Sequence, residues 1–288
     1  MIRTVIIGSG NIAHTRHITN IRRSGLAVLH GIYNRSLEHS RRDAGKHVLC
    51  EKPMSVTAGE AALMLEASDN AGAKLMVSHN QRYYGPHMKA KELLEAGTIG
   101  TVLNVRSCLG LDLPMDDACP EDYNAGSEVL SHRIDLMHYL LSSSVKGVTA
   151  RLTRVDAQGR SRHVTSGDDT AMAILQYENG VIASLTASRV SYNGNDRITR
   201  IFGTKGSITL YGQKAPVCVE LEDGQAECLC LPDVPSQREV EKTLVDEAFF
   251  KCILNDGPPP VSARDGLRVM EVVDAVYRSN REGRYIEI

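Results

Sequence analysis

Two clusters of charged side chains and one glycine-rich turn carry the chemistry open to this sequence. The first cluster is Glu51-Lys52-Pro53, which follows Gly45-Lys46-His47-Val48-Leu49-Cys50. Val48, Leu49 and Cys50 read as a short buried strand, and Pro53 stops its ladder. A carboxylate and an ammonium at the C-terminal end of a strand sit where open α/β sheets bind ligands. Solvated strand-end charge is the plainer alternative. The second cluster is Glu128, His132 and Asp135, spaced i, i+4 and i+7 and so on one helix face. A carboxylate one turn from an imidazole fixes its tautomer and raises its basicity, as a general base near neutral pH requires. The same residue types bind metals, but no further His, Cys or carboxylate stands at ligand spacing, so no metal is expected. A solvated amphipathic face is the structural alternative. His138, further along the helix, reads as a surface or packing residue.

The glycine-rich turn is Gly8-Ser9-Gly10-Asn11-Ile12-Ala13, a G-x-G-x-x-A version of the dinucleotide fingerprint. It comes after Arg3-Thr4-Val5-Ile6-Ile7, an apolar run expected of a parallel strand buried on both faces. Gly8 permits the tight turn, Gly10 admits a pyrophosphate close to the backbone, and Ala13 lets helix and strand pack closely. The helix from about Asn11 to Arg23 then aims free N–H groups at the phosphate, with Asn11 and Ile12 at its start. After the next strand, Ala27 to Tyr33, a carboxylate would mark a site for the NAD ribose. This chain has Asn34-Arg35-Ser36 instead. A guanidinium flanked by an amide and a hydroxyl suits a 2′-phosphate, which leans the reading toward NADP over NAD. Alternatively, Arg35 stacks on or flanks the adenine.

The elements that must position these groups form two domains, 1–82 and 83–288. The first is an α/β, Rossmann-type dinucleotide-binding domain, and it is short. Only Leu37 to Ala44 separates the second strand from the run ending at Cys50, whereas a parallel pair needs a crossover of about a dozen residues or more. Two readings stand: a truly abridged domain, or a chain from which a segment is missing. Beyond Pro53, Thr57-Ala58-Gly59-Glu60 is a capping box for a helix reaching Asn70. Lys74 to Ser78 is a strand ending in His79-Asn80-Gln81-Arg82-Tyr83-Tyr84, a second polar cluster at a strand end. Pro86 and Gly97 bound a linking helix. From Thr101 the pattern alternates. Runs at 102–108, 146–155, 170–177, 181–188, 197–202, 207–211 and 217–221 predict a large, mostly antiparallel open sheet in an α+β domain. Asn179-Gly180 marks a hairpin. Helices are predicted at 127–141, 238–254 and 263–279.

Composition excludes other classes. A chain of 288 residues, 42% hydrophobic and 24% charged, is ordinary globular material, and its net charge of −2 argues against a nucleic-acid-binding face. No run is long enough to span a bilayer, and no signal peptide is visible. Seven cysteines without a CxxC pair point to reduced thiols and a cytoplasmic location.

On the Gly8–Ala13 turn, the Gly45–Pro53 stretch, Glu128 to Asp135 and Phe202-Gly203-Thr204-Lys205-Gly206-Ser207, the sequence resembles the glucose–fructose oxidoreductase / inositol dehydrogenase (Gfo/Idh/MocA) family. The resemblance implies an N-terminal Rossmann domain and a C-terminal domain whose open sheet mediates homodimers or homotetramers. It implies hydride transfer between a nicotinamide, NADP or NAD, and a carbinol or carbonyl carbon of a sugar, cyclitol or sugar derivative. By position, Lys52 would hold the reacting hydroxyl, with Glu51 and Lys52 also at the cofactor. His132 would be the general acid/base, Glu128 would orient it in place of the family's usual Asp, and Asp135 would lie behind them. The substrate would meet Lys52, Asn80, Arg82, Tyr83, Glu128 and His132. The family's fourth Rossmann strand, with the turn beside the nicotinamide, has no counterpart here, and Glu38 to Ala44 resemble the family's residues just after that turn. A non-catalytic dinucleotide- or sugar-binding relative, a sensor or assembly subunit, is the rival expectation.

Overall fold

The computed structural model of the chain describes residues 1–7, 12–33, 46–112, 124–156, 159–191, 196–231 and 244–288. Two compact units emerge: Met1–Met54, Gly59–Gly85 and Val234–Leu267 form one, and Ser55–Ala58, Pro86–Asp233 and Arg268–Ile288 the other. The chain thus returns late to the first unit. Residues 244–267, which the sequence assigns to the second domain, pack in the first.

In the first unit β1 (Ile2–Ile7) and β2 (Ala27–Tyr33) pair in parallel, with a bulge at Thr4/Val5. Between them a π-helical turn, Ala13–His17, runs into helix α1 (Ile18–Ser24), which Gly25 ends at φ +64°. A second parallel pair, β3 (Val48–Cys50) and β4 (Leu75–Val77), is joined through helix α2 (Ala58–Asn70). On its other side β4 meets Ser262 through an isolated bridge at Met76, and the Val77 N–H donates to the Val261 carbonyl at 3.0 Å. Among the described residues the two pairs are separate sheets.

This corrects two expectations. The first strand is not buried on both faces: burial alternates along β1, leaving Val5 exposed and Ile7 at 69% exposure. Nor is the strand before Glu51 fully buried, since Val48 is exposed. A doubly wound sheet covers both faces with crossover helices. Residues 34–47 connect β2 to β3, and of these 34–45 lie outside the described residues.

The second unit holds helix α3 (Gly85–Glu95) from its second residue onward, and then a sheet whose members are β5 (Val102–Gly110), β6 (Val145–Val155), β7 (Ser161–His163), β8 (Thr170–Tyr177), β9 (Ile182–Ser188), β10 (Thr199–Gly203), β11 (Gly206–Leu210), β12 (Val217–Leu221), β13 (Ala226–Leu229) and β14 (Ile286–Glu287). Its order is β13-β12-β11-β10-β5-β9-β8-β6-β14, with β7 on β6, and every pairing is antiparallel except β5 with β9. Asn179-Gly180 turns β8 into β9, with Gly180 at φ +85°. Period-2 alternation sorts the two faces. Val105, Ala173, Leu175, Ala183, Leu185 and Ile201 are buried on one, where helix α4 (Leu130–Leu141) packs on β5 and β9. Each such Leu or Ile contributes about 1.5–3 kcal/mol by leaving water. On the opposite face Met172, Ile174 and Ile182 are exposed. Helices α5 (Val245–Leu254) and α6 (Ala263–Glu282) come last; the start predicted for the first of these, near 238, lies outside the described residues.

The expectation of reduced cysteines throughout is also corrected. Cys218 and Cys228 form a disulfide, since the antiparallel register of β12 and β13 sets them directly opposite with Cα atoms 4.1 Å apart. Cys50, Cys108, Cys230 and Cys252 are free.

Candidate active site

In the first unit the site is built around the end of β3. Strand pairing carries Cys50 to the sheet's C-terminal edge, where the Ser78 N–H donates to the Cys50 carbonyl at 2.8 Å. The chain then leaves through Glu51-Lys52 and a cis Lys52-Pro53 peptide. Glu51 is firmly held. Its Oε1 accepts from Arg16 Nη1 at 2.8 Å and lies 3.0 Å from His17 Nε2, while its Oε2 accepts the Lys52 backbone N–H at 3.3 Å. Burial works against its charge, but the His17 hydrogen bond and the Arg16 and His17 charges prevail and hold its carboxyl below the usual range. Burial and the Glu51 charge push the Cys50 thiol up to about 11, so it is a neutral thiol and no nucleophile.

His17 reaches in two directions. Its Nδ1 lies 2.7 Å from Asp246 Oδ1, and Asn20 Nδ2 donates to Asp246 Oδ2 at 2.5 Å. Burial alone would lower the imidazole pKa; the hydrogen bonds and charges of Asp246 and Glu51 outweigh it and raise the pKa to about 9. Sequence reasoning misses Arg16, His17, Asn20 and Asp246 alike. The i+3 spacing of His17 and Asn20 on one helix face is a visible signal. Asp246, 229 residues from His17 in the chain, gives none.

Six of the residues expected at the cofactor, Gly8, Gly10, Asn11, Asn34, Arg35 and Ser36, lie outside the described residues. Ile12 is exposed, and Ala13 beside it is buried, as close packing of a fingerprint helix on its strand demands. A 3-10 turn, Asn80–Tyr83, comes after β4. Asn80 is buried and donates to the Tyr84 hydroxyl at 3.2 Å, Tyr83 is half-buried, and Arg82 stands 3.7 Å from Asp265 Oδ1. Lys52 is half-buried.

In the second unit Glu128 sits on a π-helical turn, Ala125–Val129, that leads directly into α4 with His132 and Asp135. Glu128 and His132 are half-buried and Asp135 is fully buried, so this is not a solvated helix face. His138 packs edge-to-face on Tyr177, the ring centroids 6.3 Å apart. The turn's first N–H groups are held by Asp168. The Asp168 carbonyl accepts the Ala125 N–H at 3.0 Å, and its carboxylate accepts the Gly126 N–H at 2.6 Å and the Tyr277 hydroxyl at 2.8 Å. Burial raises the Asp168 pKa despite these hydrogen bonds. The Tyr277 pKa is raised too, by burial first, then Asp168, and last the charge of Glu128. The Tyr277 hydroxyl thus feels both the carboxylate that anchors the turn and the one proposed to orient His132. Among the described residues no group of three or more His, Cys, Asp and Glu could hold a metal ion, and no helix is long and apolar enough to cross a membrane.

A Rossmann-type unit with a lysine at a strand end, together with a unit built on a ten-stranded open sheet, defines a class of two-part oxidoreductases. Residues 91–288 match the oxidoreductase family's C-terminal alpha/beta domain and residues 37–79 its NAD-binding Rossmann fold. The chain belongs to the Gfo/Idh/MocA oxidoreductase family. The levoglucosan dehydrogenase of Pseudarthrobacter phenanthrenivorans is 28% identical, covering 85% of this chain and 75% of that one. The inositol 2-dehydrogenase of Rhizobium meliloti is 29% identical, covering 85% and 74%. The fold is that of the WlbA dehydrogenase from Bordetella pertussis, solved with NADH and UDP-GlcNAcA: TM-score 0.81, 22% identity, covering 100% of this chain and 99% of that one. The matched Rossmann stretch contains Glu51-Lys52-Pro53 and leaves out Gly8–Ala13.

Proposed function

We propose that this chain is an NAD(P)-dependent oxidoreductase that moves a hydride between a nicotinamide and a carbinol or carbonyl carbon of a sugar, cyclitol or sugar derivative. The observation that carries the reading is the ion pair of Arg16 with Glu51. It ties the helix after the fingerprint turn to the residue beside Lys52, so the dinucleotide-binding helix and the lysine belong to one assembly. Relatives named as dehydrogenases of levoglucosan and inositol support the substrate class.

The described residues fit a dinucleotide: parallel β1 and β2, a helix starting at the end of the fingerprint, and buried Ala13. The bound nicotinamide would supply or accept the hydride. Gly8, Gly10, Asn11 and Ile12 would hold the pyrophosphate, and Asn34, Arg35 and Ser36 would choose NADP over NAD. Glu51 would fix the strand end. Lys52 would donate a hydrogen bond to the reacting oxygen, and its charge would favour the alkoxide during oxidation. His132 would take the hydroxyl proton and Glu128 would orient it. Asn80, Arg82 and Tyr83 would bind further substrate hydroxyls. The open sheet face with Met172, Ile174 and Ile182 supports a homodimer or homotetramer.

Titration with NADPH and NADH, monitored by nicotinamide fluorescence, tests the binding. Single-turnover hydride transfer by Lys52→Ala tests the chemistry: a fall of about a hundredfold or more is expected for loss of a charged oxyanion donor, and a near-normal rate rules Lys52 out. A second reading, a dinucleotide- or sugar-binding relative without turnover, is favoured by one observation: the uncovered face of β1, with Val5 and Ile7 exposed. Tight NAD(P)H binding without turnover on any polyol would favour it.

A further inference from the structure

The charged cluster of the first unit does more than fill space between elements. Glu51 and Asp246, as carboxylates, only accept hydrogen bonds. Each ring nitrogen of His17 lies within hydrogen-bonding distance of one of them, Nε2 at 3.0 Å from Glu51 and Nδ1 at 2.7 Å from Asp246. Both nitrogens must therefore donate, and only an imidazolium donates from both. The ring is buried to 14% exposure, so water does not replace these partners. The remaining groups are arranged to match. Arg16 donates to the same Glu51 oxygen and reaches Ser78 at the end of β4 at 3.5 Å, and Asn20 donates to the second oxygen of Asp246. Two cations and two carboxylates balance. The cluster joins four segments: the fingerprint helix, the ends of β3 and β4, and α5.

We propose that His17 is a positioning residue for the reaction: as an imidazolium it clamps Glu51 against Asp246 and thereby sets the direction in which Lys52 leaves the strand end. This rests on the dehydrogenase reading. The link from Glu51 to Lys52 is short, since the second oxygen of Glu51 accepts the Lys52 backbone N–H. A neutral imidazole keeps one N–H, so one carboxylate loses its His17 hydrogen bond, and two carboxylates then share a single cation, Arg16. The clamp should therefore open as pH rises, consistent with the His17 pKa of about 9 set by Glu51 and Asp246. Asp246→Asn removes one of the two charges that keep the ring protonated, and should open the clamp at lower pH.

The test uses the full chain with 13C-labelled histidine, whose His17 signal is the one missing in His17→Gln. In the wild type that signal should titrate with a midpoint near 9, and in Asp246→Asn at least one pH unit lower. The kcat–pH profile for polyol oxidation should lose its alkaline limb at the same two midpoints. In His17→Gln, kcat should fall tenfold or more at pH 7.5 with the polyol KM within twofold. A wild-type midpoint near 6.5 would overturn the clamp. A profile that keeps the wild-type shape in Asp246→Asn, while only thermal stability drops, would reduce His17 to a structural role and overturn the proposal. Absence of turnover in the wild type would sink the parent reading and this role with it. The clamp would then still be judged on its own by the resonance midpoint, which does not depend on turnover.

Discussion

Replacing Asp168 should damage both the stability of the second unit and the placement of His132. The carboxylate is 0% exposed and accepts two hydrogen bonds, from the Gly126 N–H at 2.6 Å and the Tyr277 hydroxyl at 2.8 Å. Asp168→Ala leaves both donors buried without an acceptor, at about 1–3 kcal/mol each. Part of that is offset, because the variant no longer buries a carboxylate whose pKa burial raises. The net expectation is a loss of about 2–4 kcal/mol. Asp168→Asn keeps one acceptor oxygen and turns an N–H toward the other donor, so about 1–2 kcal/mol should go. Urea denaturation at pH 7.5 measures these values. Tyr277→Phe, losing one partner only, should cost about 1 kcal/mol and couple with Asp168→Asn. The helical turn that Asp168 anchors holds Glu128 and leads into the helix of His132, and on the dehydrogenase reading proposed above, where His132 is the general base, a 1 Å misplacement costs about a hundredfold. A fall in kcat of tenfold or more should accompany the stability loss. If Asp168→Ala unfolds within about 0.5 kcal/mol of the wild type, inside the range of an ordinary surface change, the anchoring argument is wrong.

Three further outcomes are expected. The raised pKa of His17 makes its stabilisation fully present below the unfolded value of about 6.5, and it is lost as pH rises through about 9. The difference in unfolding free energy between wild type and His17→Gln should therefore shrink by about 3 kcal/mol over that window, and a pH-independent difference contradicts it. Cys218→Ser, or reduction of the wild type, opens a loop of sequence separation 10 and should cost about 2–3 kcal/mol in thermal or urea unfolding; unchanged stability under reductant contradicts a disulfide in the folded chain. Ile174→Lys, on the open sheet face, should lower the oligomeric state seen by light scattering while leaving the fold's circular dichroism intact, and an unchanged mass would clear that face of the role.

Legibility in the sequence depends on the range of each signal. The hairpin at Asn179-Gly180 is legible because the turn residues themselves demand a positive φ, and Gly180 has it at +85°. The runs of β8 and β9 alternate cleanly, since only one face of each is covered. Strands β7, β13 and β14 escape because they are edge segments of two to four residues, too short to show an alternation; Ser161-Arg162-His163 is also exposed throughout. The disulfide escapes because it depends on the register of β12 against β13, which no spacing of cysteines encodes. The open face of β1 escapes for a different reason: Val5, Ile6 and Ile7 are apolar at every position, and an unbroken run cannot say which parity is covered. Glu128, His132 and Asp135 are legible as one helix face, but the start of that helix is set by Asp168, some forty residues on.

Among the described residues, the side-chain cluster at Glu51 links parts of the first unit that no backbone ladder joins. In a doubly wound sheet, strands hold the two edges of a dinucleotide crevice in one hydrogen-bonded ladder. Among the described residues here, β1 with β2 and β3 with β4 are separate ladders. Arg16 and His17 on Glu51 join the helix after β1 to the end of β3, and through His17 and Asn20 the helix is also fixed to Asp246. Side chains thus do part of the work that backbone pairing does elsewhere. Such a joint is strong while all four charges are present and weak once one is removed, because a buried charge then loses its partner. Arg16→Ala, which leaves His17 as the one cation of the cluster on Glu51, should therefore weaken NAD(P)H binding and shift the His17 resonance midpoint upward, since Glu51 then has one cluster cation where it had two.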